Sequence, residues 1–486
     1  MTDTAPRLPG LSGWLGRLAF NLHIAGIVAI ALLLLIPLSM VRDLINERSY
    51  RQQEVQSGIA AEWGGAQTLV GPILKVPYRV KPAPNQPERL SAAFYLPQTL
   101  DATLSFTHEM RYRAVFEVPV YRAHGTLAGS FPPAASLPVP ADATAMLWDQ
   151  AVLLMGVGDL AGIDSDPALT WRGQPAAFAP GSAAPAIPGM QAPLPPLTMT
   201  DSEPMSFSID LAVRGTDRLL LVPVGAASTL SLTGDWPHPG FLGTLPGQRE
   251  VTKTGFTASW SLSYLARGFP QHWTEATEAQ PATAPSGYDS AGYSPGYDDR
   301  NGVASAMMAS SVGMTLVQPV DFYHVSERAA KFGFLFVAAM FGTVFVIELA
   351  SGRRVHVVQY LLIGAAIALF FCLLLALSEV IGFTPAYLLA ALMTTGLIGA
   401  YLAHIAGSRR RGLIGAGVLA GLYGYLYVLL QLEDMSLLAG SLGLFAALAA
   451  FMWFTRHVDW FRLAPSAAAE LTGGEAHAKP ETPMPG

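Results

Sequence analysis

Six stretches of this chain are each about 20 residues long and nearly free of charge, which is the length an α-helix needs to cross a bilayer. The first lies near Leu18–Val41, around IAGIVAIALLLLIPL. The others cluster after residue 328, near Lys331–Leu349, Val357–Ser378, Phe383–Ile405, Leu413–Leu432 and Met435–Thr455. Only 13% of the residues are charged, about half the share of a soluble domain. Lipid is therefore the expected solvent for much of the chain. The first stretch is longer than the apolar core of a signal peptide, and no small-x-small cleavage site follows it. The polar, helix-compatible RDLINERSYRQQEV comes next, so the stretch reads as an uncleaved anchor.

Short basic connections set the expected orientation. Arg7 and Arg17 precede span 1, and Arg353 and Arg354 separate spans 2 and 3. Arg409, Arg410 and Arg411 separate spans 4 and 5, and Arg456 and Arg462 follow span 6. The alternate connections SEVIGF and LEDMS carry no Lys or Arg. All four basic segments fall on one side, which predicts a multi-pass membrane protein with both termini cytoplasmic. Arg42, Arg48 and Arg51 dissent, diluted by Asp43, Glu47 and Glu54.

The expected domains are a cytoplasmic N-terminus (1–17), a transmembrane helix (18–41), a β-rich domain outside the cytoplasm (42–329), a bundle of five transmembrane helices (330–455) and a disordered cytoplasmic tail (456–486). Within 42–329, a polar helix near 43–63 gives way to runs such as TLVGPILKVPYRV, MSFSIDLAV and STLSLTG, rich in β-branched and aromatic residues and several alternating with period two. Pro72, Pro77, Pro119 and Pro223 inside such runs mark edges, bulges or strand ends. With no βαβ rhythm, the expected fold is α+β, with a sandwich-like, antiparallel β domain. Residues 173–204, rich in Ala, Pro and Gly, and 275–311, with repeated GY steps, read as flexible insertions.

Several segments in order resemble the CreD family of bacterial inner-membrane, or cell envelope integrity, proteins. They are LLLLIPLSMVRDLINER, LVGPILKVP (69–77), GDWPHPGFLG (234–243), REVTKTGFTASW (249–260), SERAAKFGFLF (326–336), HVVQYLLIG (356–364), LLLALSEVIGFT (373–384) and TRHVDWF (455–461). The resemblance implies one anchor helix, a large periplasmic domain, a C-terminal helical bundle, and a link to envelope stress and to sensitivity to bactericidal agents. It supplies no catalytic site.

The residues themselves offer little enzymology. GxSxG, HExxH, GxxxxGK[ST] and GxGxxG are all absent, and His108, His124, His238 and His272 are scattered. The single cysteine, Cys372, allows neither a disulfide framework nor a Cys-based zinc site within one chain. No catalytic residue, cofactor or metal is expected, and no basic block points to nucleic acid.

Intramembrane carboxylates stand out because burying them is costly. Glu379 is a candidate proton or cation ligand at the outer end of span 3. The simpler and preferred reading is an interfacial acid beside Ser378, whose hydroxyl can bond the helix end. Glu348 is expected to snorkel and pair with Arg353 or Arg354. Gly417 and Gly421 share one helix face, suited to packing within the bundle or to homo-oligomerisation. Tyr423, Tyr425, Tyr427, Trp453 and Trp460 suit aromatic belts, and Ser326 suits an N-cap for span 2. In GDWPHPGFLG, the prolines bias Trp236 and His238 toward extended backbone. Trp236 and Phe241 are expected to bury as a rigid corner, with partner binding as the alternative and His238 as a weak catalytic candidate. The expected partners are the lipid bilayer and an envelope protein or amphiphilic ligand. The expected role is non-catalytic sensing or scaffolding in envelope integrity. A transporter or lipid-handling bundle stands as the alternative, and an envelope hydrolase comes third.

Overall fold

The structure is a computed structural model that describes residues 11–81, 87–184, 187–198, 202–278, 302–317, 322–351, 354–432 and 435–456. The chain forms two compact units, Gln52–Pro319 and the combination of Met1–Arg51 with Val320–Gly486. The boundary after Arg51 falls inside one helix, Leu35–Trp63.

The first unit is built on two sheets. An eight-stranded sheet runs in the order Gln248–Thr252, Gly255–Ser263, Ala227–Gly234, Thr99–Arg113, Phe116–Phe131, Met205–Thr216, Ala168–Trp171, Gln174–Ala177. A ten-stranded sheet is centred on Gln67–Val80, which pairs with Arg218–Val222, Arg89–Tyr95, Ala143–Met146 and Val152–Val157. Period-two burial explains the layering. Leu100, Ala102, Leu104 and Phe106 point inward from one strand of the first sheet, and Phe207, Ile209, Leu211 and Val213 from another. They share one core with Leu69, Leu74, Leu153 and Met155 of the second sheet. Two sheets that bury one face each in a common core make a sandwich.

The sandwich is not purely antiparallel, as the patterning led one to expect. Gln67–Val80 pairs parallel with Arg218–Val222, and Thr99–Arg113 pairs parallel with Ala227–Gly234. Parallel neighbours need long connections, and more than a hundred residues separate each pair along the chain. The register shift between Val70 and Ile73 accommodates Pro72 within the central strand.

The two segments expected to be unpacked are largely structured where described. Residues 173–204 contain the strands Gln174–Ala177, Ala179–Ala184 and Ile187–Pro193, and bury Met190, Ala192, Leu194 and Leu197. Backbone pairing at the sheet edge overrides a composition rich in small residues. In 275–311, residues 279–301 with the GY steps lie outside the described residues. Residues 303–309 form a helix, Val303–Ala309, that seats Val303 and Met307 in the core.

The second unit is helical. Leu11–Leu33 and Leu35–Trp63 are separated by a single irregular residue, Leu34. Pro37 has no N–H to give the carbonyl four residues earlier, at Leu33, which places the interruption. Leu34, Leu38, Val41 and Ile45 form the buried stripe of this pair, with 3–4 spacing. Gly364 lets the stripe close on its neighbour, since a Cβ there would lie 2.0 Å from Leu34 Cδ1. Phe322–Lys331 leads into Gly333–Ser351, Val357–Ile381, Phe383–Ile405, Arg409–Gln431 and Ser436–Thr455.

Among the described residues, five helices rather than six are long and apolar enough to cross a membrane. They are the N-terminal helix, Gly333–Ser351, Val357–Ile381, Phe383–Ile405 and Arg409–Gln431. In the last helix the apolar described run, Leu438–Ala450, is shorter than a span. Ser326 does not cap a helix start. It lies within Phe322–Lys331, buried, and its hydroxyl finds no hydrogen-bond partner among the described residues. The tail beyond residue 456 lies outside the described residues.

Candidate functional site: two buried carboxylates on one helix bundle

Glu379 lies two residues before the end of Val357–Ile381, with its side chain 11% exposed. A carboxylate so removed from water needs a cation and donors, and two other helices supply them. Arg48 Nε donates to Oε1 at 2.7 Å, and Nη2 donates to Oε2 to complete a bidentate fork. Tyr323 Oη donates to Oε1 at 3.0 Å. Burial, reinforced by this bond to Glu379, holds the Tyr323 phenol well above its ordinary range. Arg42, nearly two turns before Arg48, donates to the carbonyls of Ala330 and Lys331 at 3.2 and 3.3 Å. These sit at the C-terminal end of Phe322–Lys331, where a cation also meets the negative end of the helix dipole. Ser378 is buried and returns its hydroxyl to the Leu374 carbonyl at 2.6 Å.

Glu348 belongs to a second cluster of the same make-up. It is 8% exposed. Tyr360 donates to its Oε2 at 2.9 Å, and His23 Nε2 lies 3.1 Å from Oε1. The expected partners were Arg353 and Arg354. Arg353 lies outside the described residues, and Arg354 is exposed. Burial rather than snorkelling describes Glu348, because three helices close over it: Leu11–Leu33, Gly333–Ser351 and Val357–Ile381.

The two clusters are related by spacing. Tyr360 and Glu379 sit 19 residues apart on Val357–Ile381, a rise of about 28 Å at 1.5 Å per residue. That is close to the roughly 30 Å thickness of a hydrocarbon core. In each cluster the carboxylate is held by one tyrosine and one basic side chain, and the basic residue comes from the N-terminal helix pair. Sequence reasoning singled out the acids and missed the partners. A signal existed for Arg48: it follows Ile45 by three residues and so continues the 34, 38, 41, 45 stripe that faces the bundle.

Among the described residues, none packs closely on Gly417 or Gly421. A Cβ at either would meet nothing within 4 Å. The close approaches belong to Gly412 against Ala403, Gly415 against Leu402, and Gly399 against Ala416. Tyr423 is no belt residue either. It is buried, its hydroxyl lies 3.2 Å from Thr394 Oγ1, and its ring packs with Phe336 and Phe370.

In the β unit, GDWPHPGFLG carries the chain from one sheet to the other. Ala227–Gly234 ends in the eight-stranded sheet, and Pro239–Leu242 pairs with Val312–Leu316 in the ten-stranded one. Trp236 is buried and donates its indole N–H to the His238 carbonyl at 3.0 Å. His108 stands edge-on to the Trp236 ring at 5.1 Å. Asp235 Oδ1 accepts the His108 backbone N–H at 2.8 Å. Phe241 packs edge-on to Phe256 and Trp260 at 6.1 and 5.9 Å. Gly243 closes the corner at φ 76°, against the Ser311 carbonyl. The His238 side chain is exposed. Among the described residues no group of three or more His, Cys, Asp or Glu side chains is placed to hold a metal.

A further grip lies at the end of Leu35–Trp63. The guanidinium groups of Arg111, Arg122 and Arg214 stand 4.4, 4.8 and 5.0 Å from the centre of the Trp63 ring. The Trp63 indole donates to the Tyr121 carbonyl at 3.2 Å. Val55 and Ile59 pack against Val118 and Val120.

Several long apolar helices joined in one bundle, with a mixed β sandwich as a separate unit, define an integral membrane protein of multi-pass type. The profile of the family "Inner membrane protein CreD" matches residues 19–461, and the chain belongs to that family. It is 31% identical to the inner membrane protein CreD of Escherichia coli (strain K12) over 439 residues, which is 88% of this chain and 91% of that protein. Among solved structures, an M1 zinc metallopeptidase from Deinococcus radiodurans and a substrate-bound point mutant of the same enzyme are similar in part. Each shows 14% identity and covers 34% of this chain and 38% of its own, with TM-scores of 0.18 and 0.17. Scores so low carry no argument about fold or chemistry.

Proposed function

We propose that this inner-membrane protein supports cell-envelope integrity without catalysis, as a sensor or scaffold whose β sandwich faces the periplasm and whose termini are cytoplasmic. The observation that carries the reading is the helix Leu35–Trp63, which belongs to both units and is gripped in each. In the bundle unit, Arg48 is locked to Glu379, which Tyr323 also holds. In the β unit, Trp63 is enclosed by three arginines. A load or ligand on the sandwich is thereby passed to the bundle through a helix with little freedom to slip. The bidentate hold of Arg48 favours Glu379 as a latch over Glu379 as a coupling acid, since a proton carrier must release its counter-ion with ease. The orientation is supported by the arginines of the short connections.

The test is complementation of an envelope-stress phenotype in cells lacking the protein, with Arg48→Gln, Glu379→Gln and the exchange Arg48→Glu/Glu379→Arg. The singles are expected to lose complementation while still accumulating in the membrane, and the exchange to recover part of it. Full complementation by both singles would remove the latch.

A further inference from the structure

A groove of the bundle lies between Val357–Ile381 and Phe383–Ile405 and has a volume of about 240 Å³. Ile363 and Ile398 form its floor and are each 1% exposed, while Leu362 and Leu397 rise as half-exposed walls. Ala366 leaves the space open where a larger side chain would fill it, and Tyr401 stands at one end. Every lining side chain but the tyrosine is purely apolar, and both walls belong to helices of membrane-spanning length.

What surrounds one end of the groove is the opposite in character. Leu362 is five residues from the start of its helix, and Tyr401 four residues from the end of its own, so the groove opens within about 8 Å of both helix ends. Those ends carry Arg354 and His356 before the first wall, and His404, Arg409 and Arg410 after the second, all exposed. No Asp or Glu occurs in 354–362 or in 397–411. The N-terminus of Arg409–Gln431 adds the positive end of a helix dipole at the same level. An apolar slot within a span, topped by exposed positive charge, matches an amphiphile with a hydrocarbon tail and an anionic head.

We infer that the groove between Val357–Ile381 and Phe383–Ile405 is a binding site for one acyl chain of an anionic phospholipid in the leaflet on the arginine-bearing side, with its headgroup drawn by Arg354, Arg409 and Arg410. Ala366 sets the room for the tail, and the arginines set the preference for the head. The inference stands whether or not the Glu379 latch does, because it shares no residue with that cluster.

The test uses the full-length protein in nanodiscs that contain a phosphatidylglycerol with a photoactivatable diazirine on one acyl chain, or the phosphatidylcholine analogue. Crosslinked residues are mapped by mass spectrometry. Label from phosphatidylglycerol is expected to concentrate on Leu362, Ala366, Leu397 and Tyr401, above the level at Leu388 and Leu392, which are lipid-facing and outside the groove. Ala366→Phe should abolish this concentration and leave Leu388 and Leu392 unchanged. Arg409→Gln and Arg410→Gln should each lower the preference for phosphatidylglycerol over phosphatidylcholine about fivefold, and their surface positions keep the test alive if Ala366→Phe fails to fold. Equal labelling of groove and control residues, or equal labelling by the two lipids, would show an ordinary annular surface and overturn the inference.

Discussion

Glu379 is held by a cation that keeps some contact with water: the Arg48 side chain is 35% exposed, its carboxylate partner 11%. Removing one member therefore leaves a charge that is only partly solvated. For Arg48→Gln or Glu379→Gln the expected loss is about 2–3 kcal/mol, below the cost of breaking a fully buried pair. Tyr323→Phe deletes one donor from the same carboxylate and should cost about 1–2 kcal/mol. Thermal unfolding of the purified protein in detergent, followed by circular dichroism, should rank the three in that order; a Tyr323→Phe variant less stable than Glu379→Gln would contradict the arrangement. The acids of this site were legible in the sequence, because a Glu inside an apolar run is conspicuous. The tyrosines and His23 were not. A partner 56 residues away for Glu379, or 325 away for Glu348, leaves no local trace. Arg48 was visible as one of three arginines that dissent from the charge rule and as the next position on the 34, 38, 41, 45 stripe, but its pairing with Glu379 was not.

Titration gives a second prediction at this scale. Tyr95 is buried in the sandwich, donates to the Pro138 carbonyl at 2.7 Å, and has its pKa pushed up to about 12 by desolvation, with a smaller contribution from Tyr78. Tyr121 is shifted the same way, chiefly by burial, and donates to the Arg218 carbonyl at 2.7 Å. An unfolded tyrosine releases its proton near pH 10. Between that value and about 12 the unfolded chain binds fewer protons than the folded one, so stability falls as pH rises through this window. Below pH 10 neither state is ionised and the term vanishes. Tyrosinate absorbance recorded alongside circular dichroism should therefore show these two phenols ionising together with loss of the β signal. Ionisation that precedes unfolding would contradict their burial.

At the scale of elements, two kinds of glycine sit on Arg409–Gln431. A Cβ on Gly412 would lie 2.4 Å from Ala403 Cβ and 2.7 Å from its Cα, where the neighbouring backbone cannot yield easily. A Cβ on Gly417 meets nothing. Gly412→Leu should lower stability by about 1–3 kcal/mol or more through overpacking, while Gly417→Leu should leave the monomer fold unchanged. Detergent-solubilised yield and thermal unfolding measure both. A loss of stability in Gly417→Leu that depends on protein concentration would instead report contact with a second copy. The sequence places five glycines on this helix, but not the direction in which each points, because that depends on which neighbouring helix closes on which face. The strands show the same limit. Alternation in STLSLTG and MSFSIDLAV announced one buried face each. The parallel partnering of Ala227–Gly234 with Thr99–Arg113 is set by the topology of a chain that returns after more than a hundred residues. In 173–204 composition misled, since a hairpin of small residues is held by backbone bonds that no side chain advertises.

At the scale of the whole molecule, the reading turns on which face of the membrane meets the sandwich. GDWPHPGFLG links its two sheets and presents His238 to solvent, while His404 is exposed beside the arginines of GSRRRG. On the proposed orientation, with the arginines cytoplasmic, these residues lie on opposite sides of the bilayer. Cys372 is the sole native thiol and is half-buried within a span, so a Cys372→Ser background is silent to aqueous reagents. In that background, His238→Cys should react with a membrane-impermeant maleimide in intact spheroplasts. His404→Cys should react only after permeabilisation. The reverse pattern would invert the topology and with it the proposed periplasmic role. Labelling of both positions without permeabilisation would mean that the two lie on one side, and that the number of crossings between them is even rather than odd. That last outcome bears on the helix count as well as the orientation. Between residues 238 and 404 the described residues include three span-length helices, Gly333–Ser351, Val357–Ile381 and Phe383–Ile405. Three crossings put the two cysteines on opposite faces, so differential labelling of this one pair checks the first three helices of the bundle and the side occupied by the sandwich together.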